Sequence, residues 1–405
     1  MAGKQAAGQY EIKTLTVTGH NGFVMDVSGV IAGIEIYEDI YSTSMTAKIG
    51  IVTTEDLVAV IPIIGQETVQ VEIDHPGGSN PITLNLVVSK ITGYERDNMS
   101  SKFILECVTQ DYILNYSTKI SQYFEGPASQ IAQEVHGLIG FGKQLQAIPS
   151  QDEQKLVVPN FSAFKTINWM ASKAFTETTA NYVFFEKKDS YMFAPLSEMT
   201  QQSPKVQYVA GVSNVVENPN GDDKMIQNYK LASSFDVIKN ITKGFYGSRA
   251  TKVDILHREY TEINYDYWSQ YSENKTLTPN TLFDVSGQGM QIRPDLRYVV
   301  PENKLLTYHH DDVYLRRKSQ MQLYDNLKIE LTVFGETSLG AGDLVDLSFP
   351  ILNPLANGEL NDYLSGSWMV TAIKHRFEQN SYYCDMECIR DSTNKPLPQK
   401  PPQVK

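Results

Sequence analysis

The stretch LSGSWMVTAIKH at residues 364–375, followed by YYCDMECIRD at residues 382–391, decides the fold of the C-terminal part of the chain. Apolar and polar side chains alternate along the second segment, which is the period-two pattern of a half-buried antiparallel strand. Together the two segments predict a closing β-hairpin. Cys384 and Cys388 would lie about 13 Å apart on its second strand, too far for a disulfide, so both are predicted to be buried thiols.

Two more predicted strands precede this hairpin, IELTVFG at residues 329–335 and LVDL at residues 344–347. Gly342 and Asp343 between them predict a tight turn, because glycine adopts a positive φ without steric cost. The order along the chain is strand, Gly-Asp turn, strand, proline-ended loop, Ser-Gly turn, strand, histidine, strand and Arg-Asp.

This series resembles the C-terminal barrel of the baseplate hub proteins of contractile-tailed phages, and the spike proteins of type VI secretion systems carry a related module. EIYEDIY at residues 35–41 and the strand after it resemble the first barrel of the same family. The resemblance marks nine positions as structural motif residues: Gly342, Asp343, Pro350, Gly366, Trp368, His375, Tyr383, Arg390 and Asp391.

The resemblance implies a homotrimeric ring in which two tube-like barrels per subunit form a pseudo-sixfold collar. Such a hub adapts the sixfold tail tube to the threefold central spike and surrounds a channel for the transient passage of DNA. The implied partners are the tube ring, the spike, the tape-measure protein and the baseplate wedge proteins. The implied location is the tail baseplate of a virion assembled in the host cytoplasm.

Size and composition predict a mainly β protein with more than one core. A chain of 405 residues exceeds the roughly 250 to 300 residues that one hydrophobic core supports. Tyr (23) and Phe (16) are plentiful, and the apolar runs are rich in Thr, Val and Ile, which favours strands. The net charge of −12 argues against stable nucleic-acid binding. No secretory leader, membrane span or basic amphipathic helix is predicted.

The predicted architecture is two β-barrel (tube-like) domains with α+β insertions. Gly126 and Pro127 predict the start of one helix and Ser162 the N-cap of a second, and a hairpin follows at residues 182–194. Phe235, Ile238 and Ile241 predict a short helix that ends near Gly244. The predicted domains are residues 1–110 as the first barrel, 111–200 as a small helical and hairpin domain, 201–255 with 316–395 as the second barrel, 256–315 as an irregular inserted domain and 396–405 as a Pro-rich tail.

Two motifs resemble binding sites, but the residues around them favour other interpretations. GLIGFGK at residues 137–143 fits part of a phosphate-binding loop, but Gln144 replaces the hydroxyl ligand of the magnesium ion and the motif follows a helix, so a helix C-cap loop is favoured. His309-His310-Asp311-Asp312, with Asp222-Asp223, offers possible metal ligands, but adjacent residues rarely converge on one ion and a solvated turn is favoured. The sequence predicts no cofactor and no metal.

Catalysis has no visible constellation in the sequence. His375 lacks an accompanying nucleophile elbow or a paired Cys and Asn, so a hydrogen-bonded structural histidine is favoured and no enzyme is predicted. Three alternatives to the phage hub stay open: a carbohydrate-binding tail or surface adhesin, a tail-associated hydrolase, and the hub of a phage-like contractile injection system.

Overall fold

The computed structural model of the protein describes residues 8–54, 63–65, 67–75, 80–211, 224–254, 258–271, 274–283, 297–301, 311–351, 359–378 and 381–396. The fold is 48% strand and 19% helix, which confirms the prediction of a mainly β protein. None of the helices in these ranges has the length and apolar character needed to cross a membrane. The Pro-rich tail lies outside the described residues from position 397 onward.

Seven strands form the N-terminal part and pair in the order β2-β1-β5-β6-β7-β4-β3. Ala47, Ile49 and Ile51 are buried on β4 while the side chains between them are more exposed, so the predicted period-two pattern is confirmed. The strands are β1 (Glu11–Thr18), β2 (Val24–Asp26), β3 (Ile31–Asp39), β4 (Thr46–Thr53), β5 (Thr68–Asp74), β6 (Ile82–Arg96) and β7 (Ser101–Thr109).

The middle of the chain is an α+β unit with the predicted two helices and hairpin. Ser162 is the N-cap of the second helix as predicted, whereas the first begins after Pro127 rather than Gly126, because Pro127 is still extended with ψ 144°. Its elements are α1 (Gln110–Ser117), β8 (Tyr123–Gly126), α2 (Ala128–Ile139), β9 (Gln144–Ala147), β10 (Gln154–Val157), α3 (Ala163–Lys173), β11 (Tyr182–Glu186), β12 (Ser190–Pro195) and α4 (Leu196–Met199).

The rest of the chain contains eleven strands and three helices within the described residues. They are β13 (Val206–Ala210), β14 (Met225–Ser233), α5 (Val237–Lys243), β15 (Gly247–Asp254), β16 (Glu259–Asp266), α6 (Tyr267–Gln270), β17 (Asn280–Thr281), β18 (Arg297–Pro301), α7 (Asp311–Leu323), β19 (Leu327–Phe334), β20 (Leu344–Ser348), β21 (Gly366–Glu378), β22 (Ser381–Arg390) and β23 (Ser392–Thr393). Helix α5 ends at Gly244 as predicted, with φ 74° at that C-cap.

Six of these strands close into a barrel. The ladder runs β21-β20-β13-β14-β19-β22 and returns to β21, because β21 and β22 also pair with each other as the predicted hairpin. Each of the six strands thus pairs with another strand on both of its sides over at least part of its length. The interior is filled by side chains that include Trp368, Val370, Ile329, Leu331, Met386 and Cys388.

The strand β15 does not belong to this barrel, although residues 201–255 are predicted from the sequence to be part of it. It pairs antiparallel with β16 from Gly247–Asp266 to Asp254–Glu259, and parallel with β18, in a separate three-stranded sheet. An aromatic cluster around Phe245 and Tyr267 packs this sheet against α7. The described part of residues 256–315 is therefore built onto β15, and the limits of the domains remain a prediction.

The two halves of the protein are joined edge to edge. β21 of the closed barrel pairs with β3 through seven residue pairs, from Ala372–Asp39 to Glu378–Gly33, which gives one sheet of thirteen strands. The inner faces of both halves belong to one hydrophobic cluster. On the outer side of the barrel wall, Met369 and Ile389 pack against Phe185 and Leu196 of the α+β unit.

Candidate functional site

The nine predicted motif residues all lie on β20, β21, β22 or the segments next to them, around the wall of the closed barrel. They do not converge on one point. Seven of them form three separate packing arrangements, at the Gly342 turn, at Trp368 and at His375, and the other two lie at the periphery.

The turn before β20 is fixed by a buried carboxylate. Gly342 has the positive φ predicted for it, 83°, and a Cβ atom there would lie 2.4 Å from Met199 Cε. Asp343 is 2% exposed and accepts hydrogen bonds from Lys187 Nζ at 3.0 Å and Lys205 Nζ at 2.8 Å. The turn therefore binds the α+β unit to the barrel wall by both charge and close packing.

Trp368 and Arg390 form the second arrangement, inside the barrel. Both are 0% exposed, and the Arg390 guanidinium carbon lies 5.8 Å from the centre of the Trp368 ring. Arg390 donates to Ser365 O at 2.8 Å and to Asn394 Oδ1 at 2.7 Å. Burial lowers the pKa of Arg390 to about 10, so the side chain is still charged at neutral pH.

Gly366 and Asp391 complete this arrangement. Gly366 has φ 121°, and a Cβ atom there would lie 2.3 Å from Asn394 Oδ1, so a larger residue would displace the side chain that Arg390 contacts. Asp391 is fully buried and accepts from the Leu277 backbone N–H at 3.1 Å and from Ser392 Oγ at 2.8 Å. It thus connects the end of β22 to the segment before β17.

We expect replacement of Asp391 by asparagine to change the pH dependence of stability. Burial raises the pKa of Asp391 to about 6, against 3.8 for an ordinary aspartate. Because the folded-state pKa is raised, protonated Asp391 stabilises the fold at pH values below the pKa of the unfolded state. This stabilisation of about 3 kcal/mol is lost as the pH rises through about 6. Asp391→Asn should match the wild type near pH 4 and be more stable by about 1–3 kcal/mol near pH 7.5.

Urea unfolding followed by circular dichroism at both pH values measures this difference. Asp362→Asn is the matched control, because Asp362 is exposed and pairs only with Lys395 at 2.9 Å within the described residues. A stability difference between Asp391→Asn and the wild type that does not change with pH would contradict the expectation.

His375 is the centre of the third arrangement, where β21 meets β3. It is 0% exposed, and its Nδ1 lies 2.7 Å from Tyr382 Oη and 3.5 Å from Cys384 Sγ. Its Nε2 lies 3.7 Å from Glu38 Oε1 on the neighbouring strand. Burial acts to lower the pKa of His375, but Cys384 and Glu38 outweigh it and raise the pKa above its ordinary value. The residue is hydrogen-bonded within the core, as the structural interpretation predicts.

The remaining two motif positions are peripheral. Pro350 forms an isolated bridge with Leu360 beyond the end of β20. Tyr383 stacks on Phe334 with ring centres 5.6 Å apart, and the Arg376 guanidinium carbon lies 5.0 Å from its ring. The assignment of all nine positions as family motif residues remains a prediction.

Glu38, which the fold brings to His375, is not among the predicted motif residues. The signal was present, because Glu38 occupies the same face of β3 as the buried Ile34 and Ile36. Cys384, His375 and Glu38 thus place a thiol, an imidazole and a carboxylate in a row. These are the three kinds of group found in active sites where a base activates a cysteine nucleophile and a third group orients the base. All three side chains are buried in the core, so this arrangement gives a substrate no access to the thiol.

The two sequence motifs that resemble binding sites lie at the end of α2 and around the start of α7. Gly140 ends α2 as a left-handed C-cap with φ 71°, which confirms the C-cap interpretation of residues 137–143. His309, His310, Asp222 and Asp223 lie outside the described residues, and Asp311 begins α7. Where the chain is described, no group of three possible ligands could hold a metal ion. Cys384 and Cys388 are buried free thiols, as predicted.

Comparison with solved structures shows what this fold resembles. The tail protein from Neisseria meningitidis MC58 aligns over 95% of this chain and 97% of its own, with a TM-score of 0.56 and 10% identity. The prophage MuSo2 43 kDa tail protein from Shewanella oneidensis aligns over 94% of this chain and 99% of its own, with a TM-score of 0.60 and 10% identity. The chain has a baseplate hub-like fold.

The hub-like fold is also found in a chain of the Francisella PdpA-VgrG complex, with a TM-score of 0.50 and 11% identity. That match covers 98% of this chain but 60% of the Francisella chain. No protein-family model and no curated protein sequence matches this chain. The recognition made from residues 329–391 is thus confirmed at the level of the fold, which is what identities of 10–11% can establish.

Proposed function

We propose that this protein is a structural subunit of a phage tail baseplate, and more specifically its central hub. The observation that carries the proposal is the joined pair of β units, a closed six-stranded barrel continuous through β3 and β21 with a second seven-stranded unit. Three such chains in a ring present six units around one axis. A homotrimer of this kind matches a sixfold tube on one side and a threefold spike on the other.

The hub contacts the tube ring and the central spike through its two faces, and wedge proteins also belong to its partners. The tape-measure protein contacts its lumen, and DNA passes through without stable binding, consistent with a net charge of −12 per chain. The role is structural rather than enzymatic, and the location is the tail of the virion. The likeness to the Francisella chain supports the hub of a contractile injection system as a second candidate.

The expected solution mass of the purified protein is that of a trimer. With a subunit of 45.6 kDa, light scattering should give about 137 kDa. Negative-stain images should then show a ring with a central channel and six peripheral masses. A mass of one subunit at every concentration, both alone and with the candidate spike protein, would contradict the hub and favour the adhesin, which glycan binding by the monomer would test directly.

A further inference from the structure

A basic cleft lies outside the barrel, between α3, α5, α7 and the start of β19. Its volume is about 690 Å³, within the range of sites that hold a few side chains of a ligand. Five cationic residues line it: Lys239, Lys243, Arg317, Lys318 and Lys328. This concentration of positive charge stands out in a chain whose net charge is −12.

Among the described residues, the lining of the basic cleft has more cationic than acidic side chains. Asp325 is the one carboxylate that lines it among the described residues, and it already pairs with both Lys239 and Lys328. Arg317 donates to three backbone carbonyls, which carry no formal charge. Burial lowers the pKa of Arg317 to about 10, so it stays charged at neutral pH. The lining therefore has five cationic side chains and one carboxylate, and Glu387, just outside the lining, adds a second carboxylate 3.8 Å from Lys328 Nζ.

Apolar and aromatic surface lies beside these charges. Tyr41 and Tyr314 line the basic cleft and are 48% and 41% exposed. Phe235 and Ile238, just before and within α5, are 63% and 71% exposed. Exposed large apolar side chains next to an excess of cationic side chains are typical of a protein-binding surface.

We infer that the basic cleft binds an acidic segment of a partner protein, with carboxylates against the lysines and apolar side chains against Tyr41 and Tyr314. The size of the cleft favours a short peptide segment over a nucleic acid. A DNA or RNA strand would extend beyond the cleft across a molecule that is otherwise strongly acidic, whereas a short segment contacts only the lysines and tyrosines.

The test is fluorescence anisotropy with a fluorescein-labelled peptide of alternating glutamate and tyrosine, titrated with the full-length protein. The double variant Lys243→Glu with Lys318→Glu reverses two charges of the basic cleft. The matched control, Lys90→Glu with Lys119→Glu, makes the same change of net charge at two exposed lysines that do not line it. We expect the cleft variant to raise the Kd about tenfold or more and the control to leave it nearly unchanged.

Binding of the peptide by the wild type should also weaken as salt is added, because the contacts are ionic. Four results would overturn the inference: no binding by the wild type, equal weakening in both variants, equal or tighter binding of a single-stranded DNA oligonucleotide, and a lower solution mass of the cleft variant alone. The last result would assign the basic cleft to a contact between subunits. The mass of the wild type tests the hub proposal separately, so the two can fail independently.

Discussion

Replacement of Trp368 by alanine is expected to lower the free energy of unfolding by about 3–5 kcal/mol. The ring is fully buried in the closed barrel, and its Nε1 donates a hydrogen bond to Leu364 O at 2.9 Å. Truncation leaves a cavity in the barrel interior and removes the ring beside the Arg390 guanidinium, which then stays charged with less favourable surroundings. Urea unfolding followed by circular dichroism measures the loss.

Trp169→Ala is the control for this experiment, because Trp169 is a half-buried tryptophan on α3 in a different hydrophobic cluster. It should cost clearly less than Trp368→Ala, since less apolar surface is buried at that position. Equal losses from the two substitutions would mean that Trp368 has no special place in the barrel interior.

The second large effect is expected for Glu38→Ala, also about 3–5 kcal/mol at neutral pH. Glu38 Oε2 accepts from the Ala341 backbone N–H at 3.2 Å, and Oε1 lies 4.0 Å from Lys188 Nζ and 3.7 Å from His375 Nε2. Removing the carboxylate leaves the buried His375 imidazole and the buried Ala341 N–H group without this partner. The cost is high because neither of these two groups can reach water in the folded state.

The pH dependence of this effect has a definite sign. Burial acts to raise the pKa of Glu38, but His375 and Lys188 outweigh it and hold the pKa below its ordinary value. Because the folded-state pKa is lowered, ionised Glu38 stabilises the fold at pH values above the pKa of the unfolded state. This stabilisation is lost as the pH falls through the pKa of the folded state. The difference between the wild type and Glu38→Ala should therefore shrink in acid.

Glu35→Ala provides the matched control on the same strand. Glu35 is partly exposed, and its carboxylate accepts a hydrogen bond from Tyr37 Oη and lies 3.8 Å from Lys374 Nζ, so its loss should cost only about 1 kcal/mol. If Glu38→Ala were as mild as Glu35→Ala, the buried contacts between β3, β21 and the Gly342 turn would contribute little to holding the two halves together.

The barrel hairpin was predictable because its two strands are adjacent in sequence and the second one alternates between apolar and polar side chains. The α+β unit was predictable for a similar reason, since helix caps and the hairpin turn are local signals. The position of β15 was not, because β15 is followed by a chain region without a clear period, and only the pairing with β16 and β18 reveals its sheet. Local pattern does not specify which sheet a strand joins.

The contacts around the motif residues were harder to predict from the sequence. Lys187 and Lys205 reach Asp343 across more than a hundred residues of chain, and Glu38 reaches His375 across more than three hundred. Such partners depend on the packing of separate units, for which a single sequence carries no spacing rule. The type of each residue could be assigned from sequence, whereas its partner could not.

The seven-pair ladder between β3 and β21 has a mechanical consequence. A hinge between two domains usually consists of a flexible linker, which lets each domain rotate. Here the halves share a sheet edge, so a force directed along the strands loads all the pairs of the ladder in parallel, and a twist of one half is passed to the other. The chain should thus behave as a torsionally stiff plate whose internal angle is set by the twist of its own sheet.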